Sequence, residues 1–288
     1  MNIEHIRAFL EVAETGSFQE AAEKLHVTQS TVSARIKTLE DRLRGPLFVR
    51  DRKGISLTAS GQHFQRRAAT VVHAWEQARQ EASLPQEVQT SVSLGMQYDQ
   101  WSSVLMPWLA WMGENAPQIA TNVVAEYSDK IMQQLHDGLL DLALVFQVQY
   151  GSELVIEKFR EESLVLISTS AEQQDIESLT DYIYMDWGEV FRAEHNLLFP
   201  KLTNSRLSVG ATAVGINHIL AHGGCGYFID RDVEQLIATG QLHRVEGAPI
   251  LKTPINLVYP RSAENSPAIE IAIEGLRFAR DRTDIHSS

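Results

Sequence analysis

Gln29, Ser30, Ser33 and Lys37 share a stretch in which apolar Val32, Ile36, Leu39 and Leu43 recur every three or four residues. That spacing marks one buried stripe of an α-helix. The opposite face then carries Ser30, Ser33, Ala34 and Lys37, with Gln29 and Ser30 at the N-terminal tip. The chemistry open to such a face is hydrogen bonding to base edges. An amide grips adenine at two points, hydroxyls bond several edges, and small side chains let a helix enter the major groove. A solvated helix face has the same composition, so the face alone does not separate the two readings. Its neighbours bear on them: residues 47–50 and 55–57 read as two short strands around Asp51-Arg52-Lys53-Gly54. Arg50, Arg52 and Lys53 then sit at a basic hairpin tip, suited to phosphates or a narrow minor groove.

Charge distribution agrees. The chain carries a formal net charge of -12, yet residues 28–67 hold nine Lys/Arg against three Asp/Glu. A local positive patch can release phosphate counterions while an acidic body resists non-specific contacts. Catalytic chemistry finds little support: there is no Gly-x-Ser-x-Gly elbow, phosphate loop, dinucleotide fingerprint or paired-histidine metal motif. His218 and His222 are four apart on an expected helix but lack an acidic or third ligand nearby, which favours a solvent-facing pair. Cys225, the single cysteine, cannot close an internal disulfide and reads as a small buried thiol. No catalytic residue, metal or cofactor is expected. No apolar run approaches the roughly 18 to 20 residues that span a bilayer, and the first residues mix charged with apolar positions, so a cytoplasmic protein is expected.

The elements that would position the basic module are legible around it. Ile3, Ile6, Phe9, Leu10 and Ala13 form the stripe of a first helix begun by Asn2 and ended by Gly16. Ser17 and Glu20 read as a reciprocal capping box for a second helix, whose inner face is Phe18, Ala21, Ala22 and Leu25. His26, Val27 and Thr28 then make the tight turn into the third helix. Beyond Thr58, residues Gly61, Phe64, Ala68, Val71, Trp75, Ala78 and Ala82 step by alternating threes and fours, a heptad seam suited to pairing with a second copy. The alternative is packing of this helix onto its own domain. Pro85 marks a hinge. From residue 91 onward, short apolar strands alternate with amphipathic helices in the rhythm of a parallel α/β sheet, with a run of strands that suggests two small lobes.

Residues 3–61 resemble the DNA-binding domain of LysR-type transcriptional regulators. The resemblance is carried by Phe9, Thr15-Gly16-Ser17-Phe18, Ala21-Ala22, Leu25, Thr28-Gln29-Ser30, Val32-Ser33, Ile36, Leu39-Glu40, Leu47-Phe48, Arg50, Leu57-Thr58 and Gly61. It implies base or phosphate contacts by Gln29, Ser30, Thr31 and Ser33, and wing contacts by Arg50 and Arg52. The sequence departs from the family pattern twice. Ala34-Arg35 stands where an arginine often follows the serine directly, which leaves Arg35 nearer the core edge and able to reach a phosphate. Leu43-Arg44-Gly45-Pro46 places the usual glycine one residue late, which bears on the path into the wing.

Residues 91–282 resemble the family's effector-binding domain, which is similar to periplasmic binding proteins with a cleft between two lobes. Leu135 with Gly138, residues 141–144, Ala221 with Gly223, Gly226 and residues 240–242 carry this likeness. The tract at residues 184–188 with Phe191 is similar to a subgroup of that family that includes a repressor of the flagellar master operon. Ligands in such sheets meet loops beyond strand C-termini and helix N-termini. The candidates are therefore Tyr98, Gln100, Trp101, Ser102 and Ser103 after the first strand, Ser128 before the next helix, Phe146 and Gln147 at the lobe crossover, and Gly210; each also suits a plain helix cap.

The expected architecture is α/β with an all-α-type winged helix-turn-helix over residues 1–58, a linker and dimerisation helix over 59–87, and a two-lobed periplasmic-binding-protein-like domain over 88–288. The expected partners are double-stranded DNA bearing an inverted repeat, a small-molecule effector, and further copies of the chain as a dimer or tetramer, with RNA polymerase as an additional candidate and no membrane. An enzyme and an effector-free scaffold are the other function classes.

Overall fold

Asn2 starts α1 (Ile3–Thr15) by accepting the Glu4 N–H on its side chain at 3.1 Å, and Gly16, at φ 66°, ends it by returning its own N–H to the Val12 carbonyl. The computed structural model describes residues 2–51, 54–82, 87–97, 99, 101–171, 179, 181–202 and 205–285. The Ser17 hydroxyl caps α2 (Phe18–Lys24), accepting the Glu20 N–H at 3.3 Å. Only this half of the expected capping box forms, because the Ser17 N–H goes to the Thr15 hydroxyl instead. Leu25, His26 and Val27 turn the chain into α3 (Gln29–Leu43), capped by Thr28. Strands β1 (Phe48–Asp51) and β2 (Gly54–Leu57) pair antiparallel, Phe48 facing Leu57 and Asp51 facing Gly54. The long helix α4 (Ala59–Glu81) follows.

Burial explains the order. Ile6, Phe9, Val12, Val32, Leu39 and Leu47 are each at most 2% exposed, and the Phe9 ring meets Phe48 at 5.2 Å and Phe64 at 5.1 Å, tying α1, the hairpin and α4 into one core. Leu43, expected on the inner face of α3, is instead 42% exposed, beyond the reach of that core.

The heptad seam divides. Gly61 and Ala68 are buried and Phe64 packs against the core of α1 to α3, so the first half of the seam is spent inside its own domain. Val71 and Trp75 are 43% and 52% exposed, and Ala78 is exposed as well. An ion-pair chain also ties α1 to α3 and to the later part of α4: Glu4 meets Arg7 at 2.9 Å and Arg35 at 3.5 Å, and Arg7 also pairs with Glu76 of α4.

Two compact units result, residues 1–91 with 136–140, and residues 92–135 with 141–288. The second contains β3 (Thr90–Met96), α5 (Met106–Asn115), β4 (Ile119–Ala125), α6 (Ser128–His136), β5 (Leu142–Val145), β6 (Leu154–Ser168), β7 (Tyr182–Met185), α7 (Glu189–Leu198), β8 (Leu207–Val209), α8 (Thr212–His222), β9 (Cys225–Ile229), α9 (Asp230–Ala238), β10 (His243–Arg244), β11 (Leu251–Pro260) and α10 (Pro267–Ile285). Strand order is β4-β3-β5-β11-β6-β9-β7-β8, with β10 on β6. Parallel pairs, β3 with β5 and β7 with β8 and β9, occur in the two flanks. The centre corrects the expected parallel sheet: β6 and β11 run antiparallel over Leu154 to Leu164 and carry the chain between lobes. Their charged residues, such as Glu157, Lys158, Glu161 and Lys252, hide the alternation by which a half-buried strand is read. Trp108 and Trp187 are at most 1% exposed, and each indole N–H reaches a backbone carbonyl at 2.9 Å, of Ala272 and Tyr227 respectively.

Candidate DNA interface and ligand cleft

Thr28 organises the tip of α3. Its hydroxyl accepts the Thr31 N–H at 3.2 Å and lies 2.9 Å from the Ser30 hydroxyl and 2.8 Å from that of Thr31. Gln29, Ser30, Ala34 and Lys37 are exposed, whereas Thr31 and Ser33 are half-buried. A helix N-terminus lined by small polar groups can meet base edges with its side chains and phosphate oxygens with its remaining amides. Arg35 does not join this face: its guanidinium, 20% exposed, turns to Glu4, which corrects the expectation that it could reach a phosphate.

The wing is bolted to this helix from below. The Glu40 carboxylate accepts the Leu47 N–H at 2.7 Å and the Phe48 N–H at 3.4 Å. The late glycine is accommodated because Arg44 itself adopts the left-handed conformation, φ 59° and ψ 34°, that ends the helix. Gly45 is then free of any positive-φ demand. Arg50 pairs with Ile55 at the backbone. Arg52 and Lys53 lie outside the described residues.

In the second unit, the loops after β3, β5 and β7 and before α6 and α8 converge on a cleft of about 440 Å³. Of the expected residues, Ser128, Phe146, Gln147 and Gly210 line it together. Gln97 holds the loops in place: its amide oxygen accepts the Ser128 hydroxyl at 2.6 Å and the Phe146 N–H at 3.1 Å, while the Ser128 oxygen accepts the Gln147 N–H at 3.3 Å. Tyr127, Asp186, Gly188 and Arg192 also border the cleft and were not picked out in the sequence as ligand residues. Arg192 donates to Asp186 at 2.7 Å, and Asp186 accepts the Gly188 N–H at 3.0 Å. The same rule of loops after strand C-termini, applied to β7, points to Asp186 and Gly188. Tyr127 lies over Gly210 so closely that a Cβ there would come within 2.5 Å of the ring, which is why glycine suits that position.

Ser103 turns the other way: it is 9% exposed and its hydroxyl accepts the Arg160 guanidinium at 2.9 Å. Trp101 and Ser102 begin a π-helical turn, Trp101–Leu105, and Tyr98 and Gln100 lie outside the described residues. The His218 and His222 rings stand 4.8 Å apart, and among the described residues no group of three His, Cys, Asp or Glu could hold a metal. Burial pushes the Cys225 thiol up to about 12, far from thiolate chemistry. Among the described residues no helix is long and apolar enough to cross a membrane.

Two family models match this chain, one on each part. Residues 3–62 match the family model described as bacterial regulatory helix-turn-helix protein, lysR family, and residues 85–279 match the LysR substrate binding domain. The chain is 27% identical over 267 residues to the HTH-type transcriptional regulator HdfR of Salmonella typhimurium, covering 92% of this chain and 94% of that one. Among solved structures, Vibrio fischeri DarR in complex with DNA has a TM-score of 0.60 at 20% identity, covering 96% of this chain and 98% of DarR. LysG of Corynebacterium glutamicum with bound effector Arg has a TM-score of 0.56 at 15% identity, covering 98% of this chain and 99% of LysG. With one family model seated on the winged helices and the other spanning most of the chain, this protein belongs to the LysR family and is a helix-turn-helix DNA-binding transcriptional regulator with an effector-binding second domain.

Proposed function

We propose that two copies of this chain read an inverted repeat, with Gln29, Ser30, Thr31, Ser33 and Lys37 of each α3 at the major groove and Arg50, Arg52 and Lys53 of each wing on phosphates or the minor groove. The observation that carries this reading is the exposed polar tip of α3, capped by Thr28 and held beside the wing by Glu40. The exposed half of the α4 seam, Val71, Trp75 and Ala78, supplies the pairing surface. The cleft at Ser128, Phe146, Gln147 and Gly210 takes a small effector, and its occupancy shifts the assembly between states that bend DNA differently. RNA polymerase is the further partner, the compartment is the cytoplasm, and the chain catalyses no reaction.

Fluorescence anisotropy on duplexes selected from the parent genome, at several salt concentrations, tests the DNA reading. Gln29→Ala should erase sequence preference while preserving most of the salt-dependent affinity. Protein indifferent to every duplex at low ionic strength would refute it. A second reading, an effector-free scaffold, is favoured by one observation: the polar groups of Gln97, Ser128, Asp186 and Arg192 already satisfy one another. Thermal-shift screening against cell metabolites separates the two, because a ligand of the folded state must raise its stability.

A further inference from the structure

Helix α6 begins in the second compact unit, and the chain it delivers, residues 136–140, belongs to the first. Its nine residues span roughly 13 Å. At the start, the buried Ser128 hydroxyl donates to Gln97 at 2.6 Å and accepts the Gln147 N–H at 3.3 Å, so the helix is held by the walls of the cleft. At the end, Gly138 takes φ 71° and reverses the chain. This turn lies on α4. The Asp137 carbonyl accepts the Thr70 hydroxyl at 2.5 Å, and a Cβ at Gly138 would stand 3.4 Å from the Thr70 methyl carbon. Beyond the turn, Leu140 is 2% exposed, and Asp141 gives its N–H to the Ser93 carbonyl of β3 at 2.9 Å while its carboxylate accepts the Ser93 N–H at 2.7 Å. Ile131, Met132 and Leu135 are buried too, so a displacement at Ser128 reaches the turn without being absorbed along the helix. On α4, Thr70 lies nearly opposite Ala68, two residues away at about 100° each. Ala68 and Val72 pack into the core of the DNA-binding unit, whereas Val71 and Trp75 are exposed. The turn therefore holds the linker helix on a face other than the one buried in that core.

We propose that α6 is the element through which the cleft regulates DNA binding: a change in how Ser128 is held passes along the helix to the turn at Asp137 and Gly138, and from there through Thr70 to α4 and its pairing seam. This rests on the reading of the cleft as an effector site and of α4 as the pairing helix. An effector that draws Ser128 away from Gln97 or Gln147 has to shift α6 or break those bonds. A shift of α6 in turn either carries α4 with it or releases Thr70. Both outcomes alter α4 beside Val71 and Trp75, and with it the separation of two α3 helices on an inverted repeat. Close packing makes the response stepwise, because a filled interface has no slack in which small displacements can be lost.

Hydrogen exchange of the full-length protein, with no ligand added, tests this as a double-mutant cycle. Ser128→Ala should speed exchange in α6 and, by about threefold or more, at residues 71–74 of α4. In a Thr70→Val background the effect on α6 should remain while that on residues 71–74 falls below about 1.5-fold. Gly138→Ala should uncouple the two in the same way, because an added Cβ strains the φ 71° turn and presses on Thr70. Gly240→Ala, at the same φ of 71° but with nothing within 4 Å of the new carbon, is the control and should leave the coupling intact. Exchange at residues 71–74 that ignores Ser128→Ala, an effect that persists unchanged with Thr70→Val and Gly138→Ala, or a coupling lost equally in Gly240→Ala would each overturn the proposal. A metabolite screen without a hit would count against the cleft as an effector site and leave this result standing. Coupling absent alongside a metabolite hit would strike only the route through α6.

Discussion

Replacing Gly61 with alanine should be among the most damaging single-methyl changes in the DNA-binding unit. A Cβ at this position would lie 2.2 Å from the Leu47 carbonyl oxygen and 2.9 Å from Leu57 Cδ2. Carbon and oxygen settle at roughly 3.3 Å, so about 1 Å of separation must be found. The oxygen is backbone and is committed: it accepts the Thr58 N–H at 2.9 Å and the Thr58 hydroxyl at 3.3 Å, and that hydroxyl in turn accepts the Gly61 N–H at 3.0 Å. Relief therefore moves α4 away from the start of β1 and stretches these bonds. Overpacking typically costs ~1–3 kcal/mol, and weakening one or two hydrogen bonds adds ~1 kcal/mol each. Alanine recovers ~1 kcal/mol in helix propensity. The net loss is about 1–4 kcal/mol, which lowers the melting transition of a unit this size by roughly 4–30 °C. Calorimetry of the full chain, with hydrogen exchange at the Ala8, Phe9 and Val12 amides to identify the transition, reads the effect. Gly45→Ala, with nothing within 4 Å of the added carbon, is the matched control and should stay within about 0.5 kcal/mol of the parent. A Gly61→Ala protein as stable as that control would refute the close approach of α4 to β1.

Other perturbations follow from the same contacts. Glu40→Ala strands the Leu47 N–H and should cost about 2 kcal/mol while weakening DNA binding by loosening the wing, an effect that urea titration and anisotropy read separately. Lys37→Ala should reduce the slope of log affinity against log salt by about 0.9, whereas Arg35→Ala should leave it unchanged because Arg35 faces Glu4; equal slopes for the two variants would contradict that orientation. Gly113, exposed in α5 with open space around it, should tolerate alanine with a gain of ~0.5–1 kcal/mol, visible as a higher second calorimetric transition. Burial lowers the His195 pKa, so the folded domain keeps a neutral imidazole while the unfolded chain titrates near 6.5. That neutral-state contribution is present above pH 6.5 and is lost as pH falls below it. Asp232, raised by burial to about 6, works in the opposite direction between about pH 4 and 6, so the histidine share is the difference between parent and His195→Phe in urea titrations at pH 7.5, 6.5 and 5.5. No divergence on acidification would refute the assignment.

What the amino-acid sequence determined by itself was local. The stripe of Ile6 and Phe9, the cap at Thr28, the turn at His26 and the paired strands of the wing are each written within a few residues, because helix period, cap chemistry and hairpin register are short-range properties. The loops carrying Ser128, Phe146, Gln147 and Gly210 were legible for a related reason, since strand C-termini and helix N-termini leave backbone groups open to a ligand. Tertiary structure decided the rest. A heptad pattern cannot tell a neighbour in the same chain from a partner helix, so only the packing of Phe64 against Phe9 shows that the first half of the seam is buried in its own domain while Val71 and Trp75 stay exposed. Nor can spacing reveal that Tyr127 and Gly210 meet, that Asp186 and Arg192 share the cleft with Gln97, or that Arg35 answers Glu4. Those contacts join residues far apart along the chain, and they exist only because burial of the β6 and β11 core and of the α1 to α4 core brings their backbones together.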